Sequence, residues 1–311
     1  MGSMADRLLG SHVVAAVGRR LPDDHFRVLA YHEVVDAAAF GRQMDHLVRD
    51  WSPVDAAAVC AALSGGPPLP PRSVWITFDD GHRSVFEIAL PQLTARGLAA
   101  TAFVCPGAAS TGESLWPDIV RAAAEQGVPL RAMGREWDAS SLIATLKRVD
   151  DEVRRGVVDA LRPLVVDPRL VGTEAHLREW VAAGCDLGNH SWDHPCLDRC
   201  RPSEIEGQIV RSETWLREQG LASALRFAHP NGNRSEVIEG VLRERGYELC
   251  ALFDHRLART TGDPLRCSRL RVSADATLPR FRAVLSGAHS GIYQLRQRLR
   301  PDLSELPRRG S

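Results

Sequence analysis

Three short stretches hold side chains whose types and spacing could do chemistry together. "SVWITFDDGH" at 73–82 ends in the paired aspartates Asp79 and Asp80. "CDLGNHSWDHPC" at 185–196 carries His190 and His194, four residues apart, and "LRFAHPNGNRS" at 225–235 carries His229, Pro230, Asn231 and Gly232. One carboxylate and two imidazoles suit a borderline divalent ion such as zinc. Asp80 offers the oxygen and His190 and His194 the nitrogens, which leaves positions for water and substrate. If the segment stays extended, Asp79 points away from Asp80, because successive side chains diverge. It is then free to take a proton from a water that the metal activates. That is a hydrolytic division of labour, and Gly81 permits the turn that follows.

The elements around these stretches must bring them together. "FRVLAYHEV" at 26–34 reads as a strand ending near His32, and "AAAFGRQMDHLVRD" as a helix with Phe40, Met44 and Leu47 on one face. "VDAAAVCAALSGG" reads as a second helix stopped by glycine. "SVWITF" is a strand, "VFEIALPQLTARG" a helix and "AATAFVCP" another strand. The helix-then-strand alternation recurs at "LREWVAAG"/"CDLGNH", "EIEGQIVRSETWLREQG"/"ALRFAHP" and "SEVIEGVLRERG"/"YELCALF". This rhythm predicts an α/β barrel or parallel sheet whose C-terminal strand ends surround one cleft. No glycine-rich nucleotide fingerprint follows the first strand. Residues 108–175 break the rhythm and read as a helical insertion, either a wall beside the cleft or a simple cover. The reading divides the chain into an N-terminal extension (1–70), a barrel (71–295) and a charged, proline-containing tail (296–311).

Taken singly, each motif has an ordinary explanation. Asp-Asp-Gly is a common turn, histidines four apart often cap or pack, and HPNG is a turn sequence. Three such stretches, each after an expected strand, make coincidence a poor account. Cys196 and Cys200 could join the two histidines in a structural zinc site, but that would leave Asp79 and Asp80 unused. Seven cysteines in a chain this long read as reduced thiols. Formal net charge is zero, with 39 basic and 39 acidic residues, which gives no broad argument for nucleic acid or an anionic membrane. No apolar run is long enough to cross a bilayer, and the opening residues lack a long apolar signal core. A cytoplasmic location is the expectation.

With these residues in view, the chain resembles the polysaccharide deacetylase family, the NodB-homology carbohydrate esterases (family 4). "TFDDG" at 77–81, "HSWDHP" at 190–195 and "FAHPNG" at 227–232 resemble its first three motifs. "LAYHEV" and "FGRQMDHL" resemble the branch acting on poly-N-acetylglucosamine. The resemblance spans roughly residues 26–290. It implies a distorted (β/α)7 barrel, with Asp79 as general base. It also implies a divalent metal, zinc above all but with cobalt or another ion possible, on Asp80, His190 and His194. The Asn231 backbone N–H would help hold the oxyanion, and Ser191 would orient the loop or a histidine. Where the family often has an arginine steadying the base, this chain has Ala228, as the poly-N-acetylglucosamine branch does. Arg269 or Arg271 is the candidate replacement. The family's late histidine acid is not evident, so His32 and His289 are candidates. Trp192 could stack on a sugar or cover the histidines. Trp116, Cys105 and His82 read as packing or shaping residues, and His229 as bonding near the site or packing beneath it.

The expected activity is therefore removal of acetyl from an N-acetylated amino sugar, oligosaccharide or glycoconjugate. Two alternatives stand beside it: hydrolysis of a small non-sugar or cyclic amide on the same fold, and carbohydrate binding by a degenerate site. Oligomeric state is left open.

Overall fold

A computed structural model describes residues 24–222 and 225–287. His289 and the tail at 296–311 lie outside the described residues.

The chain folds as an α/β protein built on a sheet of mostly parallel strands. Strand β1 (His25–Tyr31) pairs in parallel with β3 (Ser73–Phe78), and β3 with β4 (Thr101–Val104). The sheet continues through β7 (Asp186–Asn189), β8 (Arg226–Ala228) and β9 (Leu249–Ala251). Residues 267–271 join the two ends. Cys267 bridges Ala251 of β9 in parallel, and β11 (Leu270–Arg271) pairs in parallel with Leu29 and Ala30 of β1. Seven parallel segments thus make the distorted barrel among the described residues. The short strand β2 (Ser52–Pro53) flanks β3, and β10 (Ala258–Arg259) runs antiparallel to the start of β1. β1 falls within the segment expected as an extension, yet it is a strand of the sheet itself. Its near-continuous apolar run matches a strand buried on both faces.

The helices form where the sequence caps them. Asp36 accepts from the Ala38 and Ala39 N–H groups, both at 2.9 Å, and starts α1 (Ala37–Asp50), which buries Phe40, Met44 and Leu47 against the sheet. Asp55 does the same for α2 (Ala56–Leu63). The run expected as one helix at 85–97 is a π turn over Val85–Ala89 followed by α3 (Leu90–Thr94). Pro91 supplies no N–H and disturbs the regular ladder behind it.

After β4, the short α4 (Pro106–Thr111) leads into the insertion. It contains α5 (Trp116–Glu125), the small hairpin β5 (Arg131–Ala132) and β6 (Arg135–Glu136), α6 (Ala139–Leu146) and α7 (Asp151–Leu161). Trp116, Ile119, Leu142, Leu146, Val158 and Leu161 give it an apolar core of its own, which also takes in Cys196 of the histidine loop. Helices α8 (Glu174–Ala182), α9 (Pro202–Glu218), α10 (Glu236–Glu244) and α11 (Leu278–Leu285) cover the rest of the barrel. Among the described residues no helix is long and apolar enough to cross a membrane.

Candidate metal and catalytic site

The C-terminal ends of β3, β7 and β8 open on one side of the sheet, with β4 between β3 and β7, and the side chains they deliver meet there. The Asp79 N–H donates to the Tyr31 carbonyl at 2.9 Å, extending the β3 ladder by one residue. Asp80 and Gly81 then both take φ of 69°, the left-handed region. The two carboxylates diverge because the chain turns at Asp80; the segment does not stay extended, so strand alternation is not the cause. A non-glycine residue held there costs energy that packing must offset, and such residues gather at functional sites. Ser191 (φ 70°), His194 (φ 62°) and Asn231 (φ 58°) share the conformation.

Asp80, His190 and His194 each offer a ligand atom within 4.8 Å of the others. His190 Nε2 lies 3.2 Å and His194 Nε2 3.1 Å from Asp80 Oδ1. Despite these distances, Asp80 Oδ1 is buried without a properly aligned hydrogen-bond donor. Lone pairs converging on a common point produce this arrangement. Two ligands of a tetrahedral ion with bonds of about 2.0–2.1 Å stand about 3.3 Å apart. The residues therefore fit a divalent ion such as zinc. The His190 tautomer is fixed as well. Its Nδ1 lies 2.8 Å from the Ala228 carbonyl, which can only accept, so Nδ1 carries the proton and Nε2 keeps its lone pair.

Asp79 sits under a buried arginine clamp. Arg269 Nη1 donates to Oδ1 at 2.6 Å and Nη2 to Oδ2 at 2.7 Å, with both side chains almost fully buried. The same guanidinium is anchored by the Leu252 carbonyl at 2.7 Å and Thr77 Oγ1 at 3.1 Å. Burial pushes Asp79 up, yet the Arg269 charge and hydrogen bonds, with His190 and His32, hold it below its ordinary value. Of the two candidate arginines, Arg269 is the one that reaches Asp79. Arg271 donates to the Phe253 carbonyl at 2.9 Å and lies 4.0 Å over the Phe253 ring.

His32 follows β1, half-buried and edge-on to Phe253 at 5.0 Å, close enough for its charge to act on both aspartates. Asn231 lies in the turn after β8, and its side-chain amide donates to Cys196 Sγ at 3.2 Å. Ser191 Oγ accepts from the His194 N–H at 3.2 Å. Burial pushes the thiols of Cys196 and Cys200 up to about 11 and about 12, and neither belongs to the ligand cluster. Cys105 donates to the His190 carbonyl at 3.3 Å, and burial raises its thiol well above its ordinary value. His82 hydrogen-bonds Ser84 at 2.8 Å. Burial pushes His229 down to about 3, and neither of its ring nitrogens has a hydrogen-bond partner among the described residues.

Several supporting contacts escaped the sequence reading. Trp116, buried in the insertion, donates from Nε1 to the His194 carbonyl at 2.9 Å. Gln208 Oε1 accepts from the N–H groups of Trp192 and Asp193 at 2.9 and 3.2 Å. Trp192 itself lies between Arg211, 3.8 Å over its ring, and Gly107, where a Cβ would come within 2.5 Å of the indole nitrogen. Asn189 Oδ1 accepts from the Ser191 N–H at 2.8 Å. The only signals available beforehand were the polar type of Asn189 and the tryptophan at Trp116.

A polysaccharide deacetylase family model matches residues 66–250, more than half of the chain, and the chain belongs to that family. Solved structures repeat the fold. The Streptococcus pyogenes deacetylase PplD in complex with acetate superposes with a TM-score of 0.60 at 17% identity, covering 89% of this chain and 99% of that one. IcaB from Ammonifex degensii gives 0.58 at 21% identity, covering 85% and 97%. The BpsB deacetylase domain from Bordetella bronchiseptica gives 0.54 at 17% identity, covering 81% and 97%. The chain is thus a hydrolase of the polysaccharide deacetylase family.

Proposed function

We propose that this protein removes an acetyl group from the nitrogen of an amino-sugar-containing substrate, using a divalent metal held by Asp80, His190 and His194. The observation that carries the reading is the pairing of that ligand cluster with a second, adjacent carboxylate, Asp79, clamped bidentately by Arg269. A structural metal site would need no such neighbour. When bound, the metal supplies a Lewis acid that polarises the amide carbonyl and makes water more acidic.

The chain's own groups do the rest. Asp79 accepts the proton of the attacking water, and Arg269 keeps its carboxylate ionised and aimed. The Asn231 N–H, presented by its left-handed turn, donates to the oxyanion as the carbonyl becomes tetrahedral. His32 gives a proton to the departing nitrogen. Water adds across the C–N bond, releasing acetate and the free sugar amine. Zinc is the favoured ion, with cobalt an effective substitute.

The test separates the two aspartates. Asp79→Asn should keep its metal and lose turnover by roughly 10²-fold or more. Asp80→Asn should bind metal weakly and recover in part with excess zinc. Acetate release from N-acetylglucosamine oligomers is measured against zinc concentration, alongside bound metal. Near-full turnover in metal-loaded Asp79→Asn would remove the base from the mechanism.

A further inference from the structure

The chain contains three asparagines, Asn189, Asn231 and Asn233, and all of them stand at the site. Asn189 closes β7, where its Oδ1 accepts from the Ser191 N–H. The other two stand in the turn after β8 and reach across to the loop that follows His194. The Asn231 side-chain amide donates to Cys196 Sγ at 3.2 Å, and the Asn233 amide donates to Asp198 Oδ1 at 2.9 Å. Each bond spans 35 residues of sequence, so together they tie two separate turns.

The tie falls beside the oxyanion donor. Asn231 holds φ 58°, a conformation that asparagine accepts more readily than most residues with a side chain. Its backbone N–H has no acceptor among the described residues, whereas the Gly232 N–H donates to the His229 carbonyl and the Asn233 N–H to the Pro230 carbonyl. Gly232 lies so close to Phe253 that a Cβ would come within 2.6 Å of the Phe253 Cβ. The turn is therefore fixed by Phe253 and by the two amide bonds.

The far ends of those bonds are themselves held. Cys196 is buried in the apolar core of the insertion, and Asp198 belongs to the short helical turn Leu197–Arg199. A thiol sulfur is a weak acceptor, so its bond contributes little to folding. Its contribution is location, because a catalytic donor must be held within about 0.5 Å of its productive place.

Resting on the deacetylase reading, we propose that Cys196 and Asp198 are positioning residues. Through the side chains of Asn231 and Asn233 they set where the Asn231 N–H stands relative to the ligand cluster. The insertion, whose core seats Cys196, then fixes the oxyanion donor as well as the His194 carbonyl.

Kinetics separate positioning from packing. An oxyanion donor acts in the transition state, so losing its aim lowers kcat and leaves KM. Cys196→Ala should keep one equivalent of zinc and lose roughly 10-fold in kcat for acetate release from N-acetylglucosamine oligomers, with KM unchanged. Cys196→Ser keeps an acceptor and should recover most of that loss. Asn231→Gly keeps the N–H and the left-handed turn but removes the amide that reaches Cys196. It should cost about as much, and adding Cys196→Ala to it should cost nothing further. Wild-type kcat in Cys196→Ala, or losses that multiply in the double variant, would overturn the role of Cys196. Asp198→Ala with Asn233→Ala repeats the cycle for the second bond, and the same outcomes would overturn the role of Asp198.

Three asparagines also allow a readout that needs no turnover. Selective ¹⁵N labelling of asparagine gives three backbone signals, and Asn231→Gly identifies that of Asn231 by its loss. In the metal-free protein, Cys196→Ala should shift the Asn231 signal and leave that of Asn189 in place. In the zinc-loaded wild type, acetate should move the Asn231 signal, and it should move it less in Cys196→Ala. An Asn231 signal unshifted by Cys196→Ala, or one equally responsive to acetate in both proteins, would overturn the proposal. No acetate release by the wild type would sink the deacetylase reading instead, and the asparagine signals would still decide whether Cys196 positions the Asn231 N–H.

Discussion

Arg269→Gln removes a buried guanidinium that satisfies both oxygens of Asp79, at 2.6 and 2.7 Å, where both side chains are almost fully buried. Breaking a buried ion pair by deleting one partner costs about 3–5 kcal/mol, because the other charge is left uncompensated. Asp79 can relieve that cost by taking up a proton. At about 1.4 kcal/mol per pKa unit, its pKa should rise by about 2–4 units. The sign follows from the chemistry. A general base works only when deprotonated, so activity falls as pH drops through its pKa. In the wild type Asp79 is held below its ordinary value, so its acid limb lies low. In Arg269→Gln the limb should move upward by about 2 units or more, with activity recovering as pH is raised. The assay is kcat/KM for acetate release against pH, with bound metal measured in both proteins. An acid limb at the wild-type position, with metal bound and full rate at neutral pH, would refute the reasoning.

Trp116→Phe keeps the ring in the insertion core but removes the 2.9 Å donor to the His194 carbonyl. Metal affinity should weaken by roughly 10-fold or more, read by competition with a chelator. Replacing Cys196 and Cys200 together with serine should leave one equivalent of metal bound, since burial keeps both thiols protonated and neither faces the ligand cluster. Loss of that equivalent in a folded protein would revive the cysteine–histidine site.

The parallel strands were legible because each is a short apolar run closed by polar residues, and the meeting of the candidate ligands because they lie at two such closures, Asp80 after β3 and His190 after β7. The sequence offered Arg269 and Arg271 equally. Residues two apart in a strand share a face, and only depth in the barrel decides that one meets Asp79 while the other lies on Phe253. Trp116 was illegible for another reason: its partner is 78 residues away, and a buried tryptophan looks the same whether or not its N–H holds a catalytic loop. The left-handed turn at Asp80 was hidden as well, because aspartate adopts a positive φ more often than most residues but still only occasionally, while the glycine after it signals only that a turn is near.

The central claim is that Asp80, His190 and His194 hold the ion on which hydrolysis depends. Acetate release from N-acetylglucosamine oligomers should be measured on protein stripped of metal and then reloaded with zinc or cobalt, one equivalent at a time. The account predicts negligible release from the stripped protein and recovery that saturates near one equivalent. Undiminished release from the metal-free protein, or none with any divalent ion, would contradict it.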